Sequence, residues 1–173
     1  MGKTIKYLFK IVIFPVTIIF YFLRLIYRFI DKKITYNYIK NIDIHSLDSL
    51  TGVEFEKFLY YSFRSLGLKV IKTQDSRDYG ADLVLHMRDQ TIVIQSKLYF
   101  NHNVGNSAIQ EIVSARTYYA ADGGVVITNS FFTKSAHTLA DSTQIKLIDR
   151  SELTNFLSLN RSDKIDLIYS WIA

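Results

Sequence analysis

The chain has 173 residues, 49% of them hydrophobic, enough for one domain and an appendage. It contains no cysteine, which excludes a disulfide scaffold and thiolate metal centres. The formal charge of +5 is uneven: residues 1–40 hold eight Lys/Arg against one Asp, and the rest thirteen Lys/Arg against fifteen Asp/Glu. The basic balance is therefore no sign that the main domain binds nucleic acid.

Residues 5–30 are strongly apolar. The uninterrupted run from Ile11 to Leu23 falls short of the about 20 residues that cross a bilayer. Extended from Tyr7 to Ile30 it suffices, provided that Lys10, Arg24 and Arg28 snorkel to the headgroups. The expectation is one transmembrane helix within residues 1–33, contacting lipid through residues 5–30; a helix lying in the interface is the alternative. Lysines and arginines flank both ends, so the positive-inside rule nearly ties. Residues 34–46 read as a linker.

Residues 51–66 predict an amphipathic helix. Thr51 with Glu54 three residues on makes a capping box. Phe55, Phe58, Leu59, Ser62 and Leu66 form its inward stripe, and Gly67 ends it. Glu56 lies at the flank of that stripe, where a solvated carboxylate is the common outcome. Leu68–Thr73 reads as a first strand.

The stretch from Asp78 to Tyr99 predicts a hairpin. Leu83, Leu85 and Met87 alternate with Asp82, Val84 and His86. Beyond the turn, Ile92 and Ile94 alternate with Val93, Gln95 and Lys97. A two-residue turn at Asp89-Gln90 sets Asp82 opposite Lys97. One face then holds Leu83, Leu85, Met87, Ile92 and Ile94, and the other gathers Asp82, Gln95 and Lys97. A carboxylate and an amide carbonyl are hard oxygen ligands suited to Mg²⁺, and a neighbouring ammonium can stabilise charge developing on a phosphodiester. On spacing alone, an ordinary carboxylate–lysine pair across two strands is an equal reading.

Val104–Ala120 reads as a helix and Gly123–Thr128 as a buried central strand. Thr133 caps a helix through Ala140. Ile145–Ile148 is a last strand, Arg150–Leu157 a helix, and residues 159–173 a peripheral helical tail. Strands alternate with helices in the C-terminal half, which implies an α/β sandwich with a mixed sheet. The four histidines show no metal-ligand spacing.

Five short motifs stand in one order: Thr-Gly-Val-Glu-Phe-Glu (51–56), Asp-Tyr-Gly-Ala-Asp-Leu (78–83), Val-Ile-Gln-Ser-Lys (93–97), Val-Gly (104–105) and Gly-Val-Val-Ile-Thr-Asn (124–129), the last followed by Phe-Thr-Lys-Ser-Ala (132–136). In this order and spacing residues 47–158 resemble the Mrr catalytic domain, of the restriction-endonuclease-like PD-(D/E)xK nucleases. The resemblance implies a restriction-endonuclease-like α/β/α sandwich with a central mixed sheet. It also implies a Mg²⁺-dependent DNA endonuclease, with Mn²⁺ as a substitute metal, acting in restriction of foreign or modified DNA. The family's D…QxK pattern falls on Asp82, Gln95 and Lys97, and its helix glutamate on Glu56. Asp82, Gln95 and Glu56 are thereby the implied metal ligands, and Lys97 the catalytic cation. Asp78 matches a loop aspartate of the family and reads first as a turn former. Ser96 stands where the family often has Cys and is expected on the core side, without effect on chemistry. Leu98 replaces a usual Arg. A tethered nuclease must reach DNA, which places the domain on the cytoplasmic side of a single-pass anchor; whether it pairs as a homodimer stays open. A binding module of the same fold, without turnover, is the competing reading.

Overall fold

A computed structural model describes residues 14–40, 42–73 and 79–172. The chain divides into two units, residues 1–37 and 38–173. The first holds most of helix α1 (Phe14–Ile39). Among the described residues no helix is long and apolar enough to cross a membrane. Within them the apolar stretch from Phe14 to Leu23 runs about 15 Å before Arg24, Arg28, Asp31, Lys32 and Lys33 follow. Residues 5–13 of the apolar run lie outside the described residues, as do Asp75, Arg77 and Asp78 of the polar loop. The helix also runs on to Ile39, through much of the stretch read as a linker.

The second unit is built on a five-stranded mixed sheet in the order β1 (Lys69–Lys72), β2 (Leu83–Met87), β3 (Gln90–Lys97), β4 (Gly123–Thr128), β5 (Ile145–Ile148). The first three strands are antiparallel neighbours; β3, β4 and β5 run parallel. The parallel strands need crossovers, which α4 (Asn106–Tyr118) and α5 (Lys134–Thr143) supply on one face. A short helix α2 (Ile44–Leu47), helix α3 (Gly52–Ser65), α6 (Arg150–Ser158) and α7 (Arg161–Tyr169) cover the other. The hairpin face carrying Leu83, Leu85, Met87, Ile92 and Ile94 packs with Phe55, Phe58, Leu59 and Phe63. The opposite face, with Val84, Val93 and Val126, packs under Ile109 and Ile112. The α/β/α sandwich is thus present, with β4 buried along its whole length.

Local chemistry explains these elements. Thr51 and Glu54 form the reciprocal capping box that starts α3. Gly67, at φ +86°, accepts the left-handed turn that leads out of it. Thr133 caps α5 through the Ala136 amide. The tail departs from its expected peripheral place: Ile168 is fully buried and Trp171 nearly so, and both join the core beside Phe63 and Phe156.

The hairpin turn differs by one step. Met87 pairs with Gln90, so the turn falls on Arg88-Asp89, with Arg88 left-handed at φ +46°. Continued past its last pair, Leu83 with Ile94, this register points Asp82 toward Gln95 and not Lys97. The partnered positions shift by two, so every side chain keeps its face. The apolar pattern is blind to such a shift, which is why the faces were legible and the register was not.

Candidate active site

The site forms where β3 outruns β2. Leu83 is the last paired residue at that end of β2, and the Asp82 N–H still bonds Ile94 O at 2.9 Å. The next outward donor on β3, the Ser96 N–H, has lost its partner strand. The Asp82 carboxylate takes the missing carbonyl's place and accepts from Ser96 N at 2.7 Å. Its Oδ2 also accepts from Ser96 Oγ at 2.6 Å and Gln95 Nε2 at 3.1 Å. Ser96, expected on the core side, in fact joins the site: its hydroxyl reaches Asp82, which lies beyond the strand end. Thr73 fixes the Asp82 carbonyl through both its N–H and its hydroxyl, each at 3.0 Å.

Asp82 is an uneasy carboxylate. Burial pushes its pKa up, and the Glu56 charge adds to that; the Ser96 bonds and the Lys97 charge pull the other way without prevailing. Its Oδ1 takes no hydrogen bond among the described residues. Gln95 is buried and spends its Nε2 on Asp82 and on Ser96 O, at 3.2 Å. That leaves its Oε1 as an oxygen donor.

Glu56 projects from α3 and is held by Lys72 of β1 at 2.9 Å. Lys97 closes the group from the end of β3, and its Nζ meets Glu111 Oε2 of α4 at 2.6 Å. Glu56, Gln95 and Lys97 thus each stand close enough to Asp82 to act on its charge or to bond to it. Ser96, Lys72 and Glu111 were missed. Glu111 carried a signal, since the helix after the lysine strand had to cover this end of the sheet, but helical spacing alone does not mark which carboxylate meets the lysine.

Gly80 sets the approach of that helix. Its φ is +93°, and a Cβ there would meet the Glu111 backbone at 2.5–2.8 Å. The loop before Asp82 therefore lies directly on the helix turn that carries Glu111. His86 pairs across the hairpin with Thr91 Oγ1 at 3.1 Å, nearer the turn.

The donor set suits a hard divalent cation. Among the described residues no three of His, Cys, Asp and Glu gather into a metal cluster. Mg²⁺ asks for less: one or two carboxylates, with waters and substrate phosphates completing its octahedron. Asp82 Oδ1, Gln95 Oε1 and the nearby Glu56 offer oxygen alone. A cation there would also relieve the burial and like-charge burden on Asp82.

No curated protein matches the chain. Among solved structures, the DNA modification-dependent restriction endonuclease AspBHI matches at TM-score 0.51 and 16% identity, over 82% of this chain and 38% of that one. MspJI restriction endonuclease, solved in complex with a 27-mer oligonucleotide, matches at TM-score 0.42 and 16% identity, over 82% and 34%. A protein of unknown function, AF1548, matches at TM-score 0.49 and 13% identity, over 68% and 77%. The chain thus spans little more than a third of the two named endonucleases. At such identities AspBHI speaks for the fold alone. The restriction endonuclease family Mrr_cat matches residues 47–157, the full extent of the sheet and of the site at its edge, and the chain belongs to that family.

Proposed function

We propose that the protein is a metal-dependent DNA endonuclease that hydrolyses phosphodiester bonds, in restriction of foreign or modified DNA. The observation that carries this reading is the gathering of Asp82, Gln95 and Lys97 at the open end of β3, with Asp82 under-compensated for its charge. Asp82 and Gln95 would hold Mg²⁺, with Glu56 beside them. A metal held there would polarise the phosphate as a Lewis acid and would make water a better nucleophile. The chain's own residues do the rest. Ser96 and Gln95 hold the Asp82 carboxylate in one orientation. Lys97, aimed by Glu111, stabilises negative charge building on the phosphoryl oxygens. A water oxygen bonds to phosphorus, the bond to the 3′-oxygen breaks, and that oxygen leaves with a proton.

One feature favours a second reading, a binding module without turnover. Both cations are already committed to carboxylates, Lys72 to Glu56 and Lys97 to Glu111. DNA cleavage by the full chain, kept in detergent, separates the two. Strand scission that requires Mg²⁺ or Mn²⁺ and vanishes in Lys97→Ala supports the nuclease. DNA binding without scission under either metal supports the module.

The helix α1 bears on location. From Val16 to Leu23 apolar side chains are exposed on every side, and Arg24, Arg28, Lys32 and Lys33 follow. We place it in the headgroup interface of the cytoplasmic leaflet, with the cations on anionic lipid. Release of the protein from membranes by carbonate is expected; retention until detergent is added would refute an interfacial seat.

A further inference from the structure

Beyond Lys97 the sheet opens into a second feature. Lys97 and Thr128 form the last rung between β3 and β4. The two segments that leave it remain fastened. Tyr99 N donates to Asn129 Oδ1 at 2.9 Å, Ser130 Oγ to His102 O at 2.9 Å, and Val104 N to Phe131 O at 2.8 Å. Between them lies a cavity of about 350 Å³ that Phe100, Asn101 and Phe131 line, with Asn129, Asp48 and Arg150 among its other walls.

Its chemistry is specific. Arg150 is the one cation in the wall, and it is spent: its two terminal nitrogens meet the two Asp48 oxygens at 2.7 and 2.8 Å, and Nη1 also donates to Asn129 O. Among the described residues that line it, no cation is left free to pair with a phosphate. Phe100 and Phe131, by contrast, are 54% and 46% exposed, although large apolar groups are ordinarily covered. Asn101 is exposed too, and its amide makes no bond among the described residues. Flat aromatic surface plus a free amide is what a nucleobase uses: a ring to stack on and a partner for its edge. Phe100 lies three residues past Lys97, so at most about 10 Å separates their backbones, no more than about three nucleotides at 3.4 Å each. A base stacked inside a duplex hides both of its faces, so to lie on these rings it must leave the stack.

We propose that this cavity receives one unstacked nucleobase of the DNA strand held at Lys97, with Phe100 and Phe131 as stacking surfaces and Asn101 on the base edge. The proposal rests on the nuclease reading and assigns that site a base-holding pocket a few nucleotides from the cut. It gives the exposed phenylalanines a role that neither the core nor the catalytic cluster requires.

The test uses the full-length protein without divalent metal, so that DNA stays intact with Lys97 in place, and duplexes carrying 2-aminopurine at successive positions. At one position the fluorescence should rise several-fold on binding, as the base leaves the stack. Adding Phe100→Ala and Phe131→Ala should abolish the rise, while anisotropy still reports binding. Both side chains are exposed, so the fold should tolerate the changes; circular dichroism checks this. Binding with no responsive position, or a rise that survives the double replacement, overturns the pocket and leaves the nuclease reading standing. A response to the matching RNA duplex and not to DNA overturns the assignment to DNA. Absence of all DNA binding and cleavage by the wild-type chain overturns both.

Discussion

Asp82 and Asp48 stand at the same end of the sheet and are held in opposite ways. Asp48 receives a bidentate Arg150 and the Asn129 amide, and the Arg150 bond holds its pKa below the usual carboxylate range. Asp82 receives only neutral donors on one oxygen, is more deeply buried, and faces Glu56; its pKa is raised. Asp48 is finished by its own protein. It ties the segment before α3 to the exit of β4 and the start of α6. Asp82 is left wanting positive charge, and the protein tolerates the cost because the rest of the sheet fixes it there. Compensated polar clusters hold a fold together, and under-compensated ones mark where a ligand completes the chemistry.

The largest expected effect lies on the side of Asp82. Lys97→Ala should reduce metal-dependent cleavage by about 100-fold or more, the scale of losing one donor that stabilises transition-state charge. Its thermal midpoint should hardly move, since the pair with Glu111 is partly exposed and worth little. Glu111→Gln should cost less, with Glu111→Asp recovering part of the loss. Equal cleavage rates for wild type and Lys97→Ala would end the contrast, because the Asp82 cluster would then be one more structural tie.

The two carboxylates should also answer pH with opposite signs. The folded pKa of Asp48 is depressed. Its stabilisation is therefore present above the unfolded value of about 3.9 and is lost as pH falls through the folded value. Asp48→Asn should lower stability by about 1 kcal/mol at neutral pH, allowing for screening of a partly exposed pair, and its gap to wild type should close below about pH 4. Asp82 has a raised pKa. Its ionised form is disfavoured in the fold, and the native state loses stability as pH rises from about 3.9 through the folded value. Asp82→Asn keeps an oxygen for the Ser96 donors and sheds that burden. Without metal it should melt higher than wild type at pH 7, yet cleave far more slowly. Melting curves from pH 3 to 8, in chelator, measure both. Parallel shifts in the two variants would erase the distinction.

The sequence carried the apolar half of this arrangement well. Leu83, Leu85, Met87, Ile92 and Ile94 alternate so strictly that only one face of the hairpin could be core. Thr51 with Glu54, and Thr133, announced two helix starts that stand where expected. Asp82, Gln95, Lys97 and Glu56 were found by motif order, with the hairpin's faces in agreement. The hydrogen-bond register escaped because a two-residue shift moves no apolar side chain across the sheet. Ser96 escaped for a related reason. Alternation assigns it to the core face, but Asp82 sits past the end of β2, where the rule no longer applies. The Asp48–Arg150 bond links residues 102 positions apart, beyond any local pattern. The tail was misjudged because one buried tryptophan and one isoleucine give no period.

Ser96 should produce the smallest effect, and it tests how finely Asp82 is set. Ser96→Ala removes the hydroxyl donor at 2.6 Å and leaves the Ser96 N–H, which belongs to the backbone, in place at 2.7 Å. Asp82 would stay where it is, with one charge-assisted bond fewer and its pKa pushed further up. A hydrogen bond to a carboxylate contributes about 1.5–3 kcal/mol when the charge is fully formed, but the N–H and Gln95 remain, so the net loss should be about 1 kcal/mol or less. In the nuclease this should appear as a higher Mg²⁺ concentration for half-maximal cleavage, with little change in rate at saturating metal, because a cation competes with the extra proton on Asp82. Titrating Mg²⁺ at a series of pH values separates these effects. The deficit should grow as pH falls, and a deficit equal at every pH would mean that the hydroxyl only positions the carboxylate and does not tune its charge.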